Sequence, residues 1–221
     1  VYAATGFACS VTCGRVSFAL GMQGPCASFD TACSASLVAN HSSMRALQRY
    51  ECETALSAGV NMILDAGTML GNSTAGFTSA KGKSHTFDTR ADGYARGEAI
   101  DAVACGVSDT SFYASEMVGS AIRQDGRSAS LTAPNGLAQA RLISVVLAAA
   151  GVHDLCILEA HGTGTPLGDP VELGGLKRVL GQGESFLGGV KASLGHIEAF
   201  AGLAGLFALV QKDRQSTCAS N

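Results

Sequence analysis

Three side chains able to act as nucleophiles or proton carriers each follow an apolar, strand-like run. They are Cys33 in FDTACSASL, His161 in EAHGTGTPLGD and His196 in VKASLGHIEAFAG. A cysteine at the start of a helix would meet free N–H groups and the positive end of the helix dipole, which favour a thiolate. The same amides could hold a developing oxyanion. By position alone Cys33 reads equally well as a nucleophile and as a small buried filler, since free cysteines are usually buried. Either histidine, taken singly, could be a structural cap. The three together are a stronger signal than any one of them.

Other charged residues sit close to these in sequence. Lys191 lies in a run of apolar and glycine residues, and a buried ammonium needs a partner. Glu172 and Asp169 are the carboxylates at hand. They also compose a helix start, with Asp169 as N-cap, Pro170 first and Glu172 third. Asp88, Asp92, Arg96 and Glu98 in FDTRADGYARGE are near enough to form an internal charge network that orders a loop.

These residues need elements to position them. Residues 22–32 read as extended, and from Cys33 onward Leu37, Met44 and Leu47 recur at helical spacing towards Cys52. Ala58-Gly59 closes that segment, VNMILDAG (60–67) reads as a short buried strand, and residues 68–98 as a long organised loop. Past TAPNG, Gln139, Ile143, Val146, Leu147 and Ala150 mark one helix face, with Gly151 at the C-terminal cap. DLCILEA (154–160) and FLGGVKA (186–192) read as strands. Between them a helix carries Leu173, Leu176 and Leu180 and closes at Gly181; a glycine- and alanine-rich helix follows from Ile197 to about Lys212. The alternation predicts a layered α/β fold in two halves, residues 1–100 and 101–221.

Composition excludes several classes. Apolar residues are 47% and charged residues 15%, which argues for a heavily buried globular chain. A net charge of −3, with no Trp and no basic run, disfavours nucleic acid. The 8 cysteines form no C-x-x-C and fall at no zinc-ligand spacing with the 5 histidines, so a reduced, intracellular protein is expected. The longest apolar stretch, residues 199–210, is too short to span a bilayer.

In order, the motifs resemble the β-ketoacyl synthase domain of polyketide and fatty acid synthases. DTACSASL resembles the family's active-site cysteine motif, and FDTRADGYARGE its FD-x-x-ADGY-x-RGE segment. TAPNGLAQ resembles its TAPNG turn, EAHGTGTPLGDPVE its first histidine loop, and VKASLGHIEAFAG its lysine and second histidine segment. The likeness is strongest to the type I polyketide branch, with the animal-type fatty acid synthase as neighbour.

The resemblance implies a thiolase-like layered α-β-α-β-α fold, incomplete at both ends. It implies an acyltransferase of the 3-oxoacyl-[acyl carrier protein] synthase type (EC 2.3.1), in which Cys33 takes an acyl chain. His161 and His196 would assist decarboxylation of a malonyl-type extender and stabilise its enolate, so that Gln at position 196 is expected to spare acyl loading. Lys191 and Glu172 would support the site, and Thr163 and Thr165 would hold the pantetheine arm. The domain would bind no metal and no cofactor of its own, its substrates riding on the 4′-phosphopantetheine of an acyl carrier protein. Partners implied are that carrier protein, acyl and malonyl thioesters, and a second copy paired through residues 27–32. The expected compartment is the cytoplasm, with a plastid left open.

Three departures accompany the likeness. Ala99 replaces the last glycine of a GEG triplet, and Arg123 stands where asparagine is common. The family's opening segment and its GFGGTNAH-type loop lie outside the chain, so the piece alone is expected to be inactive. The alternatives are a fatty acid synthase ketosynthase, a thiolase or a single-substrate acyltransferase, and a non-condensing module that binds carrier protein or dimerises.

Overall fold

The computed structural model describes residues 3–107, 114–181 and 185–219. The helices are α1 (Ala3–Phe7), α2 (Cys9–Leu20), α3 (Ala35–Gln48), α4 (Ala66–Thr74), α5 (Gly136–Ala150), α6 (Gly168–Leu180), α7 (Lys191–Leu194) and α8 (Ala201–Ala219). Strands β1 (Thr54–Asn61) and β2 (Ala99–Gly106) pair antiparallel, with Asn61 opposite Ala99; β3 (Ile157–Glu159) and β4 (Phe186–Gly188) pair parallel. β2 runs through position 100, where the sequence reading divides its halves.

The core lies where the start of α8 meets α3 and β1. Ile197, Phe200, Ala201, Leu203 and Ala204 form the buried cluster, and Leu203 is fully enclosed. Glycine permits the close approach: a Cβ at Gly59 would stand 2.7 Å from Phe200 Cδ2, and one at Gly202 would stand 2.4 Å from Leu37 Cγ. The Ser36 hydroxyl accepts from the Leu203 N–H at 3.2 Å, so a polar bond ties the first turn of α8 to α3.

Several sequence expectations shift. The strand is not VNMILDAG: β1 covers Thr54–Asn61, runs through Ala58-Gly59, and is followed by a loop and then α4. Hydropathy misled here because the inward residues of β1 are the small or polar Ser57, Gly59 and Asn61, while Val60 faces out. Ser57 bonds Ser43 at 2.8 Å, and Asn61 donates to the Gly97 carbonyl at 2.7 Å, so the polar inward face is satisfied. Residues 22–31 form no strand within this chain and are mostly exposed. Lys191 opens α7 instead of ending a strand. The helix start at Asp169 is also revised, because Leu167 is the N-cap and the hydroxyl of Thr165 accepts from the Gly168 N–H. The expected C-terminal cap holds at Gly151, whose φ is 65°, and Asn135, read only as part of a turn, caps the start of α5 by accepting from the Leu137 and Ala138 N–H groups. Among the described residues no helix is long and apolar enough to cross a membrane.

Candidate active site

Cys33 sits in a single 3-10 turn, Ala32–Ser34, directly before α3. Ala32 has φ 52°, a left-handed conformation that costs an alanine roughly 1–3 kcal/mol. The turn is held by Ser34, whose hydroxyl donates to the Thr31 carbonyl at 2.9 Å. Strain is thus spent on turning the chain sharply just ahead of the thiol.

His196 and His161 converge on that thiol. His196 Nε2 lies 2.9 Å from Cys33 Sγ, and the two imidazoles stand edge to face with centroids 5.5 Å apart. The thiol and one ring nitrogen of each histidine lie within 4.8 Å of one another. Sequence spacing offered no zinc pattern, yet the fold gathers one sulfur and two nitrogen donors. His196 is buried, whereas His161 opens to solvent on one side.

A single loop holds both histidines. In the segment 84–98, the Thr86 hydroxyl donates to the Gly162 carbonyl at 2.6 Å, and the Gly93 N–H donates to the Gly164 carbonyl at 3.0 Å. At its far end the His196 N–H donates to the Ala95 carbonyl at 2.6 Å, and the Gly97 N–H to the His196 carbonyl at 3.0 Å. Asp169 fastens the two loops together, accepting from the Phe87 N–H at 2.7 Å and the Gly164 N–H at 3.1 Å. Glu172 accepts from the N–H groups of His161 and Gly162 at 2.6 and 2.8 Å, so it fixes the backbone that carries the first histidine. The charge network expected within this segment does not form. Asp88 pairs with Arg90, Asp92 accepts from Ser79, Arg96 pairs with Glu198, and Glu98 accepts from the Ile63 N–H.

Burial dominates the electrostatics. It pushes the Cys33 thiol up, ahead of the opposing pull of the cysteine's own amide and of Lys191. That direction runs against the thiolate expected from a helix start. Burial, then Lys191, lowers His161 to about 4. Burial, then His161, Lys191 and Arg96, lowers His196 to about 3, so both rings are uncharged near neutrality. Lys191 is buried and its ammonium is pushed down by desolvation, with Glu172, Cys33, Glu159 and Asp169 opposing. Burial raises Glu172 against the pull of the Gly162 and His161 amides and of Lys191. Thr163 and Thr165 face each other, hydroxyl to hydroxyl, at 3.0 Å.

Three contributors escaped the sequence reading. The Tyr94 ring meets His196 edge on, centroids 4.8 Å apart. Glu198, unremarked in GHIEAF, holds Arg96 through two bonds of 2.7 and 3.1 Å. Asp169 was read as a cap and as a carboxylate at hand for Lys191, but not as the group that joins two loops. The recurrence of Tyr94 and Arg96 in one glycine-punctuated segment was the available signal.

Comparison with known proteins decides the family. Residues 1–105 match the family model described as Beta-ketoacyl synthase, N-terminal domain, and residues 114–220 the one described as Beta-ketoacyl synthase, C-terminal domain. The chain belongs to the β-ketoacyl synthase family. It is 43% identical, over 96% of its length and 11% of the relative's, to a Phenolphthiocerol synthesis polyketide synthase type I Pks15/1 of Mycobacterium bovis. It is 42% identical, over 95% of its length and 6% of the relative's, to Erythronolide synthase EryA2 of Saccharopolyspora erythraea. Among solved structures, the ketosynthase from module 6 of the bacillaene synthase of Bacillus subtilis 168 superposes with TM-score 0.90 at 32% identity. That match covers 93% of this chain and 39% of the other. The oxazolomycin ketosynthase domain KS7 of Streptomyces albus JA3453 gives 0.88 at 34% identity, covering 94% and 38%. The fold is therefore the thiolase-like α/β fold of ketosynthase domains, and the chain spans 6% of the length of one curated relative it matches and 15% of that of another.

Proposed function

We propose that this β-ketoacyl synthase chain carries the condensing site of a polyketide synthase. Cys33 takes the acyl group from a thioester: a new C–S bond forms, the old one breaks, and the donor thiol leaves with the Cys33 proton. A malonyl-type thioester on the phosphopantetheine of an acyl carrier protein then loses carbon dioxide. His161 and His196, both neutral, donate to the enolate oxygen that results. The enolate carbon attacks the Cys33 thioester, a C–C bond forms, and the cysteine sulfur leaves and regains a proton.

The observation that carries this reading is the 2.9 Å approach of His196 to Cys33, with His161 beside it. Lys191 and Glu172 act by charge and by fixing the His161 loop, and Thr163 and Thr165 present hydroxyls suited to a pantetheine arm. The chain would work as two halves, 1–100 and 101–221, and as a homodimer. The unpaired, mostly exposed segment 22–31, which includes most of the proposed pairing stretch 27–32, favours such pairing. The described cysteines are free thiols, which fits a reducing compartment.

The test is to incubate the full-length protein with a labelled acyl thioester and map the adduct by peptide mass spectrometry. Label on Cys33 is expected. Label on Cys9 or Cys52 with none on Cys33 would sink the assignment.

A further inference from the structure

We propose that Cys33, His161 and His196 form a reversible binding site for a soft divalent cation of the Zn2+ class, whose occupancy damps the reactivity of the thiol. One sulfur and two imidazole nitrogens are a zinc donor set. With Zn–S near 2.3 Å and Zn–N near 2.0–2.1 Å, donors around a tetrahedral ion stand roughly 3.3–3.7 Å apart. Here the three donor atoms already lie within 4.8 Å of one another, and the tightest pair is at 2.9 Å. Shifts on the order of 1 Å bring them onto one ion, with a water at the fourth position. Entry is from the side on which His161 is exposed.

Two features make the site inhibitory and exchangeable in place of structural. His196 Nδ1 is buried without a hydrogen-bond partner among the described residues, whereas a ligating histidine in a built metal site donates that N–H to an oxygen. The Lys191 ammonium also acts on Cys33 and on both histidines, and it opposes a second cation. Binding balances without redox change: the aqueous ion loses waters to the two imidazoles, a Zn–S bond forms, and the thiol proton passes to solvent. The zinc-bound sulfur carries less charge and is flanked by the ion's other ligands, so its attack on a thioester is slowed. That loss of turnover rests on the condensing reading above, whereas the binding itself does not.

The test uses the full-length protein, Zn2+ and iodoacetamide, reading alkylation of Cys33 by peptide mass spectrometry with the exposed Cys156 as reference. Zn2+ should slow alkylation of Cys33 roughly tenfold or more while sparing Cys156, EDTA should restore it, and Mg2+ should do nothing. His161→Gln and His196→Gln should each weaken the protection. Co2+ should give a sulfur-to-metal absorption band that Cys33→Ala abolishes. Unprotected Cys33, equal protection by Mg2+, or protection undiminished in both histidine variants would overturn the site. Acyl label on Cys33 without Zn2+ protection rejects this proposal and keeps the condensing one; protection without acyl label does the reverse.

Discussion

Cys33 Sγ and His196 Nε2 meet at 2.9 Å although 163 residues separate them in sequence. Burial raises the thiol and lowers the imidazole, so the resting pair is neutral. On the condensing reading proposed above, the thiol proton would leave as the C–S bond forms, with His196 Nε2 the acceptor at hand in its Nδ1–H form and a donor to the later enolate only in its Nε2–H form. This alters the expectation for position 196. His196→Gln removes the acceptor and should slow acyl loading of Cys33 roughly 10²–10⁴-fold, read as the rate of label incorporation. Loading at the wild-type rate would return His196 to the condensation step alone.

His161 touches its partner ring but makes no such bond to the thiol. His161→Gln should therefore leave loading near the wild-type rate and cut decarboxylation of the malonyl-type extender by roughly 10²–10³-fold, the scale of one lost oxyanion donor. Carbon dioxide release from a labelled extender measures it. Equal losses in both steps would place His161 with His196 in loading.

How much of this was legible in sequence divides by physical cause. Cys33, His161 and His196 could be named because each stands where an apolar run breaks at glycine or at a small residue. Their meeting is expected only through the family resemblance and not from local pattern, since it depends on the segment 84–98 bonding to both histidine loops through backbone groups, the Thr86 hydroxyl and the Asp169 carboxylate. Asp169 looked like a cap because short-range patterns describe local bonds, while its real acceptor contacts include Phe87, 82 residues away. β1 was displaced because its inward face is small and polar, the reverse of the pattern hydropathy rewards.

The neutral histidines set a pH dependence. His161 and His196 titrate at about 4 and about 3 in the folded chain, below the ordinary 6.5. Between those values and 6.5 the unfolded chain binds more protons, so stability rises with pH through that window. The contribution of the two histidines is complete above about 6.5 and is lost as pH falls through about 4 towards 3. The charged or titrating groups around the pair are Lys191, Arg96, Cys33 and Glu172, with Tyr94 against His196. Hydrogen exchange over residues 190–200 of the full-length protein should show protection falling across that range. Imidazole NMR signals that titrate near 6.5 would contradict it.

Gly162 offers a steric test of the first histidine loop. Its φ is +46°, and a Cβ there would stand 2.5 Å from Thr86 Cγ2. Gly162→Ala should displace the His161 backbone from Glu172 and lower decarboxylation more than loading. Thr86→Ser deletes the clashing methyl but keeps the hydroxyl that donates to the Gly162 carbonyl. The double variant should recover part of the loss, the positive φ accounting for the remainder. No recovery would mean that backbone strain alone governs the loop.

The Arg96–Glu198 pair tests how His196 is held from behind. The Arg96 side chain is 4% exposed and that of Glu198 25%, and Glu198 itself has φ 38°, two residues past the histidine. A bidentate partner keeps this strained turn in place, and its removal strands a guanidinium in a dry environment. Glu198→Ala should therefore cost on the order of 3–5 kcal/mol locally. The expected readout is faster hydrogen exchange across residues 194–203, together with slower acyl loading as His196 drifts from Cys33. Replacing both partners, Arg96→Leu with Glu198→Leu, removes the stranded charge and should be less disruptive to exchange than Glu198→Ala alone. If the single variant exchanges like wild type, the ion pair is not what anchors His196. The backbone bonds to Ala95 and Gly97 would then carry that task by themselves.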